Sequence, residues 1–227
     1  MTGPDPLWIV IPAFNEGQVI GEVVRGLRKA WPNVVVIDDC SADATGAAAL
    51  AAGAVVVRHP VNLGQGAALQ TGLRYALAQG AAAIVTFDAD GQHRVEDIQV
   101  LLDTQRQSGA DVVVGSRFLG SAEGMPALRR LVLRLAVIFT RITSGVALTD
   151  AHNGLRLLMR SAAERIRIEQ NRMAHASEIV DQFHSLRLKV AEAPVTIRYT
   201  EYSLQKGQRL DNALNIVIEL FVARLLK

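Results

Sequence analysis

Three short acidic or amide-rich clusters punctuate this chain: Pro12-Ala13-Phe14-Asn15-Glu16, Asp38-Asp39-Cys40-Ser41-Ala42-Asp43-Ala44-Thr45 and Asp88-Ala89-Asp90-Gly91-Gln92-His93. Asp88 and Asp90 are two apart, which puts them on one face of an extended backbone, and a turn there could aim both inward. Carboxylates crowded together repel one another unless a cation or hydrogen-bond donors offset them. Hard oxygen ligands suit Mg2+ or Mn2+, which keep waters and bind through one or two carboxylates plus substrate phosphates. A plainer reading competes: Asp-Ala-Asp-Gly is also an ordinary solvated turn. For Asp38, Asp39, Ser41 and Asp43 the plain alternative is to cap the helix that follows. Asn62-Leu63-Gly64-Gln65-Gly66 precedes another helical stretch, and its glycines would let backbone amides approach phosphate or ribose. It is a poor dinucleotide fingerprint, because Leu69 stands where a third glycine belongs and a His59-Pro60 loop precedes it in place of a strand. A dehydrogenase is therefore disfavoured, and no Walker A sequence occurs.

These clusters need a frame that brings them together. Apolar runs at Leu7–Ile11, Val34–Ile37, Ala54–Val57, Ala83–Phe87 and Asp111–Val114 alternate with helix-length segments such as Gly66 to Gln79. Continuous apolar strands separated by helices predict an α/β fold with a mostly parallel sheet covered on both faces. In such sheets ligands collect beyond the carboxyl ends of the strands, which is where the three clusters fall. The second half predicts a long apolar helix at Leu128–Thr143, a loop at Thr149–Gly154, a helix around His175–Leu186 and a strand at Val195–Tyr199. A glycine-containing loop, Tyr202–Arg209, leads to an amphipathic C-terminal helix from Asp211. With 227 residues and no linker or repeat, one domain is expected over 1–227.

The composition is 50% hydrophobic with a formal net charge of +2, too small to point to nucleic acid. Cys40 is the one cysteine, so no intrachain disulfide forms, and this agrees with a reducing compartment. Met1 to Pro6 lacks the basic-then-apolar pattern of a signal peptide. No apolar run reaches the roughly 18 to 20 residues of a spanning helix.

Taken in order and spacing, Pro-Ala-Phe-Asn-Glu, Asp-Asp-Cys-Ser-Ala-Asp-Ala-Thr, Asn-Leu-Gly-Gln-Gly, Asp-Ala-Asp-Gly-Gln-His and Gly115-Ser116-Arg117-Phe118 resemble the family 2 glycosyltransferases. The match spans about residues 7 to 207 and is similar to the polyprenyl-phosphate (dolichol-phosphate) sugar synthases. The resemblance implies a GT-A, Rossmann-like fold, with a nucleotide-sugar half over about 7–120 and an acceptor- and membrane-facing half over about 121–227. It implies inverting transfer from a UDP- or GDP-sugar to a lipid phosphate. Pro12, Ala13, Asn15, Glu16 and Asp39 would hold the nucleotide, with Asn62, Gly66 and Ala89 beside them. Asp88, Asp90 and Gln92 would hold Mg2+ or Mn2+ on the diphosphate. Arg117 would face phosphate, and Asp150 in Asp150-Ala151-His152-Asn153-Gly154-Leu155-Arg156 would line the reaction centre. One departure stands out: Thr200 occupies the place, six residues after Pro194, where the dolichol-phosphate-mannose branch has Arg, while Lys206 is in register. This argues for a UDP-sugar over GDP-mannose and assigns the acceptor phosphate to Arg117, Arg156, Arg198, Lys206 or Arg209.

A phosphate-monoester acceptor is largely dianionic at neutral pH, so it needs little help from a base. Asp150 is then expected to position the acceptor. For a saccharide-hydroxyl acceptor a base would be required, and Asp150 is the candidate. A non-catalytic nucleotide-sugar-binding subunit is the third reading, disfavoured because Asp88, Asp90 and Asp150 are all retained. Arg130, Arg134 and Arg141 fall within about 40° of each other on a helix, a cationic stripe suited to the headgroup boundary of a membrane. The C-terminal stripe Leu214, Ile218, Phe221 and Leu225 reads first as packing on the core or a second copy of the chain. The expected location is peripheral, on the cytoplasmic face of the membrane, and by resemblance a small integral membrane protein is a further partner. His59 and His184 are expected to be structural, His93 to support the metal loop, and His175 and Glu178 to lie near the acceptor.

Overall fold

The computed structural model describes residues 6–125, 133, 137, 148–151, 153–170, 174–199 and 202. A seven-stranded sheet in the order β3-β2-β1-β4-β6-β5-β7 forms the frame. Its strands are β1 (Leu7–Ala13), β2 (Val34–Asp38), β3 (Val55–Arg58), β4 (Ala83–Thr86), β5 (Val112–Glu123), β6 (Arg156–Met159) and β7 (Val190–Arg198). The first four pair in parallel, β6 runs antiparallel between β4 and β5, and β7 pairs in parallel with β5. The helices are α1 (Ile20–Arg28), α2 (Thr45–Ala51), α3 (Gln65–Ala78), α4 (Asp97–Ser108), α5 (Arg160–Ala163) and α6 (Ala174–Ser185).

The unbroken apolar strands follow from burial of both faces. Ile9, Ile11, Val34 and Val36 pack with Ile20, Val24 and Leu27 of α1 and with Leu101 and Leu102 of α4. The alternate residues, Trp8, Val10, Val35 and Ile37, pack with Leu69 and Leu73 of α3 and with Val180 and Phe183 of α6. Strand alternation thus distributes one run of valines and isoleucines between two cores. The α/β, GT-A-like expectation holds.

Two expectations change. The β6 strand was not foreseen: Arg-Leu-Leu-Met is four residues long, opens on a charge and reads as a loop end. The Gly115–Phe118 motif, expected after a strand, lies inside β5, which continues to Glu123 through an irregularity against β7 between Ser116 and Ser121. Of the expected helix at Leu128–Thr143, only Leu133 and Val137 are among the described residues, and both are helical. The helix from Asp211 lies outside them. No helix among the described residues is long and apolar enough to cross a membrane.

Candidate active site

Parallel strands deliver their carboxyl ends to one edge of the sheet, and antiparallel β6 delivers its first residue to the same edge. Thr86, at the end of β4, pairs with Val10 on one side and with Arg156 on the other. This places the loops after β1, β2 and β4 together with Arg156 and the Asp150 loop.

The loops after β1 and β2 are laced to each other. The amides of Asn15, Glu16 and Gly17 donate to Ser41 Oγ (3.0 Å), Thr45 Oγ1 (2.8 Å) and Asp43 Oδ2 (2.9 Å), and Ala42 N donates back to Asn15 Oδ1 (2.8 Å). Asn15 turns with a φ of 54°, a left-handed conformation that Asn tolerates. Asp43 takes the amide of Thr45 at the head of α2 (2.9 Å), whereas Asp38 accepts from Ser41 N and Arg58 Nη1, both at 2.9 Å. Of these residues, Asp43 is the one that meets the first amide of α2, from outside the N-cap position held by Ala44.

Asp39 is buried and committed to the protein. Its Oδ1 accepts from Leu63 N (2.9 Å) and pairs with His59 Nδ1 (2.8 Å), while Oδ2 accepts from Gly64 N (2.7 Å). His59 is braced by Thr71 Oγ1 at 3.0 Å, the structural role expected of it. Asp39 thus shapes the wall of the site. Of the Asn62–Gly66 amides expected near phosphate or ribose, those of Leu63 and Gly64 donate to Asp39. Gly66 has a packing role. It lies inside α3, where a Cβ would come within 2.1 Å of Gln170 O and 3.1 Å of His175 Cβ, so its smallness serves helix packing.

Asp88 and Asp90 sit in the loop after β4. His93 Nε2 lies 2.8 Å from Asp88 Oδ2, with its ring edge-on to Phe87 at 5.3 Å. Asp90 Oδ1 accepts from Gln92 N at 3.0 Å, and Gln92 O accepts from Arg198 N at 2.9 Å, tying the loop to β7. Burial would raise the pKa of Asp88, but the His93 hydrogen bond and the charges of His93, Arg156 and His175 hold it below the ordinary carboxylate value. Burial, then the charge of Asp88, pushes Asp90 up to about 6. Two carboxylates driven apart in this way are a pair that a divalent cation would relieve. Gly154 makes the space: a Cβ there would lie 2.3 and 2.5 Å from the two oxygens of Asp88. No three His, Cys, Asp or Glu side chains gather as a ligand set among the described residues.

Asp150 is buried beside this pair. Its Oδ2 accepts from Arg117 N (3.0 Å), Arg117 Nε (2.6 Å) and Asn153 Nδ2 (3.2 Å). Its Oδ1 has no hydrogen-bond partner among the described residues. Arg117 Nη1 donates to Tyr199 Oη at 2.7 Å, and although burial would depress its pKa, Asp150 and Tyr199 raise it. Arg117, expected to face phosphate, sets its guanidinium against Asp150. Arg156, also expected near the acceptor phosphate, is 3% exposed, donates through Nη2 to Ala151 O (3.2 Å) and feels the charges of Asp88 and Asp150. Burial lowers its pKa to about 10, against the pull of the two aspartates. Arg198 turns outward to pair with Glu123 at 3.3 Å. Thr200, Lys206 and Arg209 lie outside the described residues.

Tyr202, far along the chain, reaches the loop after β1, donating to Glu16 Oε2 at 2.7 Å. His175 is buried and its charge reaches Asp88, whereas Glu178 accepts the amides of Glu169 and Gln170 and is structural. Tyr199 and Asn153 were not foreseen; only their nearness to Pro194 and Asp150 in the chain hinted at them.

The Glycosyl transferase family 2 model matches residues 8–167. An uncharacterized protein of Methanocaldococcus jannaschii is 34% identical over 97% of this chain and 93% of its own length. The UDP-N-acetylglucosamine--dolichyl-phosphate N-acetylglucosaminyltransferase of Methanococcus voltae is 30% identical over 96% of each. A crystal structure of glucosyl-3-phosphoglycerate synthase from Mycobacterium tuberculosis with Mn2+ and UDP-glucose superposes with a TM-score of 0.72. It covers 96% of this chain and 78% of that one at 22% identity, a likeness of fold.

Proposed function

The chain belongs to glycosyl transferase family 2, a glycosyltransferase using a nucleotide sugar, and on that premise we propose a polyprenyl phosphate as the acceptor, with inversion at the sugar carbon. The observation that supports this reading is the gathering of the Asp88–Asp90 loop, Gly154 and the loop of Asp150 at one sheet edge. The methanococcal relative, whose name joins UDP-N-acetylglucosamine to dolichyl phosphate, supports both a UDP-sugar donor and a lipid-phosphate acceptor.

Pro12, Ala13, Asn15, Glu16, Asp39, Asn62 and Ala89 line the edge that would take the nucleotide. Asp88 and Asp90, with Gln92 next to them, would hold Mg2+ or Mn2+, whose charge offsets that of the departing diphosphate. Asp150 is locked by Arg117 and Tyr199, so it is held in place to orient an acceptor. A dianionic phosphate oxygen attacks without giving up a proton, so positioning is the larger task. Arg117 and Arg156 are engaged by Asp150 and Ala151 and Arg198 by Glu123, which favours Lys206 or Arg209 for the acceptor phosphate. We read the chain as one domain working at the cytoplasmic membrane face, where the stripe of Arg130, Arg134 and Arg141 would meet anionic headgroups.

One observation favours a second reading. Oδ1 of Asp150, without a hydrogen-bond partner among the described residues, could take a proton from a saccharide hydroxyl. Incubation with Mn2+ and a panel of UDP- and GDP-sugars, with and without undecaprenyl phosphate, separates the two. Nucleotide release that requires the lipid phosphate and falls about 100- to 1,000-fold in Asp88→Asn supports the proposal. Release onto saccharides, with a basic pH–rate limb that disappears in Asp150→Asn, supports the alternative.

A further inference from the structure

Glu192 stands on β7 opposite Val114 of β5, and its carboxylate meets the loop that carries Asp150. Oε1 accepts from Thr149 N (2.8 Å), Thr149 Oγ1 (2.7 Å) and Asp150 N (3.2 Å), and Oε2 accepts from Thr149 N (2.9 Å). The hydrogens can be followed one by one. Thr149 has a single hydroxyl proton, and Glu192 takes it. Ser116 Oγ, 2.6 Å from Thr149 Oγ1, must then donate to Thr149, which leaves its own lone pairs to the amides of Phe118 and Leu119, both at 3.2 Å. Every proton in this relay runs from the irregular stretch of β5 through Thr149 to the charge on β7.

We propose that Glu192 is a positioning residue for the transfer reaction. It clamps the main chain of Thr149 and Asp150, while Arg117 clamps the Asp150 side chain. The two clamps come from different strands, so neither replaces the other. This inference rests on the function proposed above, because it assigns Asp150 to the reaction centre. Reaction rates are sensitive to such placement, since a displacement of about 1 Å can cost about 100-fold.

Glu192→Gln keeps volume and removes the charge. Whichever way the amide faces, its NH2 meets a hydrogen of Thr149 or Asp150. The wild-type protein, Glu192→Gln, Glu192→Ala and the surface control Asp103→Asn are compared in two measurements. The first is transfer from UDP-N-acetylglucosamine to undecaprenyl phosphate with Mn2+, alongside calorimetric affinity for the donor. The second is amide hydrogen exchange at Thr149 and Asp150. The expectation for Glu192→Gln is a kcat lower by about 10- to 100-fold with donor affinity within about twofold, because the nucleotide edge lies on other strands. Exchange at the two amides accelerates by about tenfold or more, and Asp103→Asn changes neither measurement. Wild-type kcat in the folded Gln and Ala variants, or unchanged exchange, overturns the proposal. If the wild-type protein transfers nothing between these two substrates, this donor–acceptor pair is excluded, and the exchange rates judge the clamp alone. Should the Ala variant fail to fold, the Gln variant carries both measurements.

Discussion

Asp90 is where local electrostatics and function meet. Its folded pKa of about 6 lies above the ordinary 3.8, so over that interval the folded protein holds a proton that the unfolded chain has released. The stabilisation from this proton is complete below about pH 4 and is lost as pH rises through about 6. The metal-free protein should therefore lose stability across that window, and Asp90→Asn should flatten the dependence. Mn2+ competes with the proton, so the Tm gain on adding Mn2+ should shrink as pH falls below about 6. Melting curves with and without Mn2+ test both statements, and a Mn2+ gain independent of pH would remove Asp90 from the metal. Gly154 offers a second test. An Ala Cβ would fall within 2.3 Å of Asp88 Oδ2, so Gly154→Ala should displace that carboxylate. The expected result is loss of Mn2+-dependent stabilisation by a UDP-sugar, with an intrinsic cost of about 1–3 kcal/mol. Retained donor binding would show that the Asp88 position is not essential.

Strands and helices set the precision of these contacts. β6 is the element on which the site turns, because its reversed direction sends Arg156 to the edge where its neighbours send their carboxyl ends. The face opposite α1 and α4 is closed by α3 and α6, and Phe183 of α6 is 1% exposed. Phe183→Ala should cost about 3–5 kcal/mol in chemical denaturation. Leu119→Ala, at a 52% exposed position on β5, should stay within about 0.5 kcal/mol. Equal effects would mean that the packing assigned to α6 is wrong.

For the chain as a unit, the open question is what it docks against. The arginine stripe predicts binding to vesicles containing phosphatidylglycerol, weakened by salt. Replacing Arg130, Arg134 and Arg141 by Gln should abolish cosedimentation while leaving Mn2+-dependent donor binding intact. Binding that survives the triple change would place the membrane contact elsewhere.

The amino-acid order alone was enough for the parallel strands of the frame and for the place of the acidic pair at a strand end. Runs such as Val34–Ile37 are apolar at every position only when both faces of a strand are covered, and Asp-Ala-Asp at a strand end is a local signal. Tertiary structure alone decided the partners of each charge. Arg117 and Asp150 are 33 residues apart and Arg117 and Tyr199 are 82 apart, so no spacing rule could pair them. Arg156 reads in sequence as a phosphate ligand, and the antiparallel β6 buries it where the charges of Asp88 and Asp150 reach it. Short-range periodicity encodes which face a residue lies on, whereas the sign and occupancy of a buried charge depend on neighbours that only folding brings within reach.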